Sequence, residues 1–283
     1  MSLGILTNVA ATYAENNLNQ TQSSLQTVLQ QLSSGSRINS GADDAAGLSV
    51  ADGLRANEAA LTQSAQNAQN GVGLLQTADG ALSQVTNLLD RAVTLATEAS
   101  NGGLTAAQAG AADTEYQSIL TEIGNIGTST NFNSTGVFTA TATNFTVSDG
   151  TAAGTTTIAA TVGALTAGSV GTATGGGAGQ SLTGTVLTST ATATTALSDI
   201  TAAIADIANQ RGAIGANINQ LNAAANVASS EEVNLSSAES AIRSTNYGEA
   251  TSNLAKYQVL SQTGISALAQ ANSVQQEILK LLQ

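Results

Sequence analysis

The chain has no histidine, cysteine, proline or tryptophan, and the first two absences exclude several classes of function. Without histidine or cysteine there is no zinc finger, no metalloprotease motif and no Ser-His-Asp or Cys-His catalytic group. Disulfides are excluded as well, so cysteine usage does not report the redox compartment. We therefore expect no cofactor, no bound metal and no enzymatic activity.

Charge and aromatic side chains are also scarce. Seven basic against nineteen acidic residues give a formal net charge of −12, and aromatic residues make up 2% of the 283 positions. The basic residues lie singly between Arg37 and Lys280, so no basic patch can neutralise phosphates, and nucleic-acid binding is not expected. No run of about 18 apolar residues predicts a membrane span. The N-terminus lacks the features of a secretory signal peptide, and a core anchored by aromatic side chains is not expected.

Apolar residues recur every seven positions in the C-terminal part of the chain. The repeat consists of Ile200, Ile207, Ile214, Leu221, Ala228, Leu235 and Ile242. This spacing is typical of a coiled-coil seam and predicts a helix of roughly 65 Å at 1.5 Å per residue, which needs a long partner. A second helical pattern begins after Asp44 and stops at Asn101-Gly102-Gly103. A capping box at Thr105-x-x-Gln108 then predicts a shorter helix.

The two ends of the chain carry heptads of their own, with few charges. The predicted inner core and subunit interface comprises Leu18, Leu25, Leu32, Leu254, Leu260, Leu268, Val274 and Leu281. Each terminal helix alone would bury too little apolar surface to offset its ordering entropy. We expect both ends to be disordered in the free chain and to fold on assembly.

The middle of the chain is rich in threonine, alanine and glycine. The β-branched stretches 144–147 and 155–158 flank Asp149-Gly150 and predict a small hairpin, whereas the residues beyond Ala167 are predicted to be loop. The predicted fold is mainly α, a long antiparallel coiled-coil bundle with one small β-hairpin. The predicted segments are 1–34 and 244–283 (inner coiled coil), 35–46 (connector), 47–138 and 197–243 (helical domain), and 139–196 (variable region).

The connector between the first two helices is dense in serine, glycine and asparagine. We expect Asp44 or Ser40 to cap the following helix and Asp43 to pair with Arg37. The stretch LSSGSRINSGADDAAGLSVADGL that contains this connector closely resembles the N-terminal signature of bacterial flagellins. The residues carried over from that signature are Arg37, Ile38, Asn39, Asp43, Asp44 and Gly47.

Three further stretches are similar to the same family: 67–82 (NAQNGVGLLQTADGAL), 130–138 (TNFNSTGVF) and 252–282. Together the resemblance covers about 1–140 and 197–283. It implies an inner domain of paired terminal helices, a surrounding helical domain with a small β element, and a variable outer portion between the two halves. The brief middle of this chain suggests that the outer portion is minimal or absent here. The implied function is that of a subunit exported by the flagellar type III route, which polymerises into the extracellular filament used for swimming.

The resemblance also implies partners. They are further copies of the chain, an export chaperone on the region from about Ala250 onward, hook-associated and cap proteins, and an innate immune receptor. The receptor epitope of enteric flagellins corresponds to Arg91, Leu95 and Glu115. The alternative interpretation is a surface or interhelix ion pair for Arg91 and Glu115, and an ordinary seam residue for Leu95. The pattern departs from many family members at Gly124-Asn125, where an acidic–basic pair is common.

Two other functions stay open from the sequence alone. A hook–filament junction protein shares similar terminal blocks but forms only a short ring. A secreted adhesin with a helical stalk and a threonine-rich head would form a soluble oligomer of fixed size rather than a polymer of undefined length.

Overall fold

The computed structural model describes residues 8–149, 156–173 and 177–281. The chain divides into two compact units, one of Met1–Ala56 with Asn234–Gln283 (unit 1) and one of Asn57–Val233 (unit 2). The helices are α1 Val9–Ser34, α2 Ala45–Ser100, α3 Ala106–Ser129, α4 Thr190–Arg243 and α5 Tyr247–Leu281. The strands are β1 Asn131–Phe132, β2 Thr135–Gly136, β3 Thr143–Thr146, β4 Thr157–Ala160, β5 Val170–Thr172 and β6 Ala178–Gln180.

In unit 1, α1 and α5 pair in antiparallel fashion, as the sequence predicts. Asn8 caps α1 by accepting a hydrogen bond from the Ala11 N–H, and its amide donates to the carbonyl of Ala271 in α5. At the other end, α1 stops at Gly35, whose φ of 71° is the left-handed conformation that glycine adopts without strain. The first and last helices of the chain therefore form one hairpin-like pair.

Unit 2 is built on α2, α3 and α4, and its helix ends follow the predicted signals. Helix α2 ends at Ser100, directly before Asn101-Gly102-Gly103. Helix α3 begins with the predicted capping box, in which the Thr105 hydroxyl accepts from the Gln108 N–H and the Gln108 side chain accepts from the Thr105 N–H. Both predictions are confirmed.

The core of unit 2 contains the predicted α4 seam. Its fully or nearly fully buried α4 members are Ile200, Ile207, Ile214, Leu221 and Ala228, whereas Leu235 and Ile242, which belong to unit 1, are half-buried. Leu75, Leu82 and Leu89 of α2 join the same core. Tyr116 of α3 is completely buried there, so the expectation that no aromatic side chain anchors the core is wrong at this position.

One glycine of α2 permits a close approach within this core. A Cβ on Gly71 would lie 2.9 Å from Leu221 Cδ1 of α4 and 3.1 Å from the Phe145 ring of β3. Gly80, nine residues further along the same helix, has no neighbouring atom within 4 Å of such a Cβ. Gly71 thus marks the point where α2, α4 and a strand meet.

The predicted hairpin is present, with strand bounds shifted by one or two residues. Strands β3 and β4 pair in antiparallel fashion with Phe145 opposite Ile158. Of the predicted turn, Asp149 is described, and Gly150 lies outside the described residues.

The prediction that the chain beyond Ala167 is loop is wrong. Strands β5 and β6 pair there in antiparallel fashion, and Val170 and Leu182 are fully buried in the core of unit 2. Gly171 has a φ of 79°, and a Cβ on it would lie 2.5 Å from the backbone N of Ile207. The glycines that suggested a loop instead let a strand lie against α4.

Helix α4 begins at Thr190, seven residues before the expected start of the C-terminal helical segment. Ser189 precedes it, and its hydroxyl accepts a hydrogen bond from the Thr192 N–H, which is the geometry of an N-cap. Threonines in the first turns return their hydroxyls to carbonyls of the same helix, as Thr194 does to Thr190. Within the described ranges, no helix is long and apolar enough to cross a membrane.

Candidate assembly surface and its connector

The α1–α5 pair is held by a narrow seam of half-buried side chains. On α1 the seam follows the alternating three- and four-residue spacing of a coiled coil through Ala11, Ala14, Leu18, Thr21, Leu25, Val28 and Leu32. On α5 it follows Ala250, Leu254, Tyr257, Ser261, Gly264, Leu268 and Ala271. A Cβ on Gly264 would lie 3.2 Å from Leu18 Cδ1, so the missing side chain of Gly264 leaves room for Leu18.

Not all of the predicted inner-core residues lie in this seam. Leu254 and Leu268 do, but Leu260 and Val274 are each 42% exposed. The reason is geometric: the repeat at Leu260 runs one residue ahead of the seam position Ser261, and one residue rotates a helix by about 100°. Leu281 ends α5, and its side chain lies outside the described residues.

Unit 1 carries an unusual share of exposed apolar surface. Among the described residues, every large apolar side chain that is exposed lies in unit 1 except Val227 and Val233. The members in unit 1 are Val9, Tyr13, Leu29, Val50, Tyr247, Val259, Leu260, Ile265 and Val274, which we call the apolar face. Exposed apolar side chains that are concentrated in one part of a protein are typical of an interaction surface.

Charge is nearly absent from the two helices that carry most of this face. Glu15 is the one charged residue of α1, and α5 has Glu249, Lys256, Glu277 and Lys280. The Lys256 ammonium lies 5.7 Å from the centre of the Tyr257 ring. A partner for this surface would therefore be recognised by apolar contact more than by ion pairing.

The connector between α1 and α2 is bonded to the segment that joins α4 to α5. The Thr245 N–H donates to the carbonyl of Gly35, and the Arg37 N–H donates to the carbonyl of Arg243. The Arg37 guanidinium also donates to the carbonyl of Ile242, with an N–O distance of 2.9 Å. These bonds join the α1–α2 connector to the α4–α5 segment at one end of the α1–α5 pair.

The two aspartates of the connector have separate tasks. Asp43 accepts hydrogen bonds from the backbone N–H groups of Asn39 and Ser40 and from the Ser40 hydroxyl, and these bonds lower the pKa of its carboxyl. Asp44 caps α2 by accepting from the Gly47 N–H at 2.8 Å. The predicted pair of Asp43 with Arg37 is wrong, because Asp43 is engaged by its own turn and the Arg37 guanidinium lies 3.9 Å from Asp44 instead.

Ile38 and Gly47 complete the connector. Ile38 is 1% exposed, and a Cβ on Gly47 would lie 2.8 Å from its Cδ1 and would clash with Asp44 Oδ2. The Asn39 amide donates to the carbonyl of Ser36. The signature residues thus form one structured turn, and no group of three or more metal-binding side chains occurs among the described residues.

The predicted receptor epitope is only partly at the surface. Arg91 and Glu115 form a two-point ion pair with N–O distances of 2.7 and 3.0 Å, and both side chains are about half exposed. The hydrogen bond from Arg91 lowers the pKa of Glu115, and the same bond raises the pKa of Arg91. Leu95 is 3% exposed and belongs to the core of unit 2, so the structure pairs two of the three residues and buries the third.

Two polar contacts that hold unit 2 together were missed from the sequence. Arg211 of α4 forms a two-point ion pair with Asp79 of α2, and Asp113 of α3 accepts from the Leu187 N–H at 2.8 Å. These residues stand singly in the sequence, so no spacing links them. The one signal in the sequence was the position of Arg211, one of seven basic residues in the chain, within the heptad repeat of α4.

Comparison with known proteins gives a consistent result over both terminal regions. The bacterial flagellin N-terminal helical region matches residues 5–143, and the bacterial flagellin C-terminal helical region matches residues 197–282. The flagellar filament 30.7 kDa core protein of Treponema maltophilum is 31% identical over 279 residues, covering 97% of this chain and 98% of that protein.

Two further proteins are similar to this chain over a smaller share of one or both sequences. Phase 1 flagellin of Salmonella naestved is 40% identical over 133 residues, which is 47% of this chain and 26% of that protein. This chain therefore matches about a quarter of the Salmonella protein's length. The crystal structure of Bacillus cereus flagellin is 29% identical, with a TM-score of 0.47, over 57% of this chain and 88% of that one.

Proposed function

Because this chain belongs to the bacterial flagellin family, we propose that it is the structural subunit of an extracellular flagellar filament and that it acts by self-assembly, not by catalysis. The observation that carries the proposal is the apolar face of unit 1. Exposed apolar side chains on a helix pair with little charge are stabilised when a partner covers them. In a homopolymer that partner is a further copy of the same pair.

Few side chains are buried between α1 and α5, which supports the proposal that further copies cover the pair. Val28 is the only buried residue that the structure describes in α1, and Ala250 is the only one in α5 outside the masked side chains. Burying one Leu, Val or Ile side chain contributes about 1.5–3 kcal/mol. Contacts between copies that use different patches on each copy continue as an open helix when the rotation from one copy to the next does not close a ring.

The same sparse burial supports folding of the terminal helices on assembly. In the free subunit α1 and α5 would have only each other to pack against, and helices in water depend on such packing for stability. Amide hydrogen exchange tests this: backbone amides of 9–34 and 247–277 exchange fast in the monomer and slowly in filaments. Equal protection in both states would contradict it.

Electron microscopy of the purified full chain, seeded with short filament fragments, tests the proposed function. We expect long filaments of uniform diameter from the unaltered chain. A variant with Val259→Gln and Ile265→Gln removes two side chains of the apolar face that are 63% and 50% exposed, so it should not elongate seeds. Gln262→Asn, an exposed polar exchange between the two sites on the same helix, is the matched control and should elongate them normally.

Other outcomes would overturn the proposal. Discrete rings or particles of fixed size from the unaltered chain would indicate a hook–filament junction protein or a secreted adhesin. Normal elongation by the doubly substituted variant would show that the apolar face of α5 is not the assembly surface.

The apolar face also supports the proposed transient partners. Before export, the region from about Ala250 onward exposes apolar side chains with little charge, and an export chaperone would cover them in the cytoplasm. Hook-associated and cap proteins would meet the same paired helices at the two ends of the filament. A pull-down with this chain's own export chaperone tests the first point, since loss of 250–283 should abolish binding.

We also propose that an innate immune receptor contacts unit 2 through the exposed pair of Arg91 and Glu115, with Leu95 supporting them from the core. Exchange of Arg91 for alanine should reduce the response of a receptor reporter cell to purified monomer. An undiminished response to that variant, or no response to the unaltered chain, would contradict this.

A further inference from the structure

Two asparagine–glycine pairs occur in the described part of the chain, Asn70-Gly71 and Asn101-Gly102. In such a pair the backbone nitrogen of the glycine can attack the amide carbon of the asparagine side chain, because glycine has no Cβ to obstruct the approach. The reaction requires the glycine nitrogen to be free and the backbone to adapt. The two pairs are equal in sequence, so the fold decides which one reacts.

The first pair is protected by its helix. Gly71 lies inside α2, where each backbone N–H donates to the carbonyl four residues earlier. The packing of Leu221 and Phe145 around Gly71 holds that backbone in place. Asn70 is exposed, so its protection comes from the backbone and not from burial.

The second pair lies in the turn between α2 and α3. The Asn101 N–H donates to the carbonyl of Glu98 and the Gly103 N–H donates to the carbonyl of Asn101, whereas no described residue accepts a hydrogen bond from the Gly102 N–H. Asn101 is exposed, and apart from the residues next to it in the chain no atom lies within 4 Å of a Cβ built on Gly102 or Gly103. The Gly102 nitrogen thus donates to no described acceptor, and the surroundings of the turn are open.

We propose that Asn101 is a site of spontaneous covalent modification. The Gly102 nitrogen forms a bond to Asn101 Cγ, the bond from Cγ to Nδ2 breaks, and ammonia leaves with the proton from Gly102. One water then opens the five-membered imide at either carbonyl, giving aspartate or isoaspartate. The reaction involves no oxidation or reduction, and it consumes one water and releases one ammonia.

The product adds a negative charge where the fold is sensitive to it. The new carboxylate lies next to the C-terminal end of α2, which already carries partial negative charge. The sequence from Glu98 to Thr105 contains no basic residue that could balance it. The isoaspartate form also lengthens the backbone of the turn by one carbon. Modification should therefore loosen the last turn of α2 beside the α3 capping box.

The test is ageing of the purified, folded full chain at mildly alkaline pH, followed by cleavage after glutamate and mass spectrometry. The peptide 99–115 contains Asn101 as its one asparagine, and 59–98 contains Asn70. We expect acid and isoaspartate forms of 99–115 to accumulate at least about tenfold faster than those at Asn70, a difference of about 1.4 kcal/mol in activation free energy. In urea the two rates should converge.

Two variants separate the mechanism from general loop flexibility. Gly102→Ala should slow modification about tenfold, equivalent to about 1.4 kcal/mol in activation free energy. Gly103→Ala should leave the rate unchanged, and open space at both positions lets both variants fold. Equal rates at Asn70 and Asn101 in the folded chain, equal slowing by both variants, or no product at Asn101 would overturn the proposal.

Discussion

Exchange of Gly71 for alanine tests whether the close approach of α2, α4 and β3 is required. The added Cβ would lie 2.9 Å from Leu221 Cδ1 and 3.1 Å from the Phe145 ring, and Leu221 is fully buried. Overpacking of a core costs about 1–3 kcal/mol, and alanine is better than glycine in a helix by about 1 kcal/mol. We expect a net loss of about 1 kcal/mol in the free energy of unfolding of unit 2.

Gly80→Ala is the matched control, because it lies in the same helix with no atom within 4 Å of the new Cβ. Here only the helix preference acts, so we expect a gain of about 1 kcal/mol. Urea unfolding of the two monomeric variants, followed by helical circular dichroism, should give midpoints on opposite sides of the unaltered chain. A Gly71→Ala midpoint equal to or above that of Gly80→Ala would refute the reasoning.

Three further predictions concern the core and the connector. Ile207→Ala, at a side chain that is 1% exposed, should lower the free energy of unfolding by about 2–5 kcal/mol, whereas exposed Val233→Ala should change it by less than about 0.5 kcal/mol in urea titrations. Tyr116→Phe removes the hydrogen bond to Thr185 and should cost about 1 kcal/mol by the same measurement; a neutral effect would contradict this. Since hydrogen bonds lower the pKa of Asp43 in the fold, its contribution is present above the unfolded aspartate pKa and lost as pH falls through the folded one. Filaments of Asp43→Asn should lack this part of the acid dependence in light-scattering titrations.

The helices and their ends were predictable because their determinants are local or periodic. The stop at Asn101-Gly102-Gly103, the Thr105 capping box and the heptads of α4 each act within a few residues or repeat at a fixed interval. The packing of the long helices against each other could be predicted because each long apolar seam needs a partner of similar length, and the chain offers few others.

Two of the failures depended on contacts between distant residues, and one depended on a local turn. Gly171 looks like a loop residue until Asp206 and Ile207 of α4 are placed against it. Arg37 has two aspartates within eight positions, and the turn that engages Asp43 decides which one remains for it. In α5 the sequence contains two seven-residue repeats one position apart, and the contact of Gly264 with Leu18 shows which side of α5 faces α1.

The pairing of α1 with α5 has a consequence for the order of folding. The hydrogen bond from Asn8 to Ala271 joins positions 263 residues apart, whereas the α2–α3 turn closes over a handful. Closing a loop costs about 0.6 kcal/mol more for each doubling of its length, and contacts distant in sequence form late. The α1–α5 pair forms only when both ends of the chain are free to meet, so holding the chain at either end would keep this pair open until release.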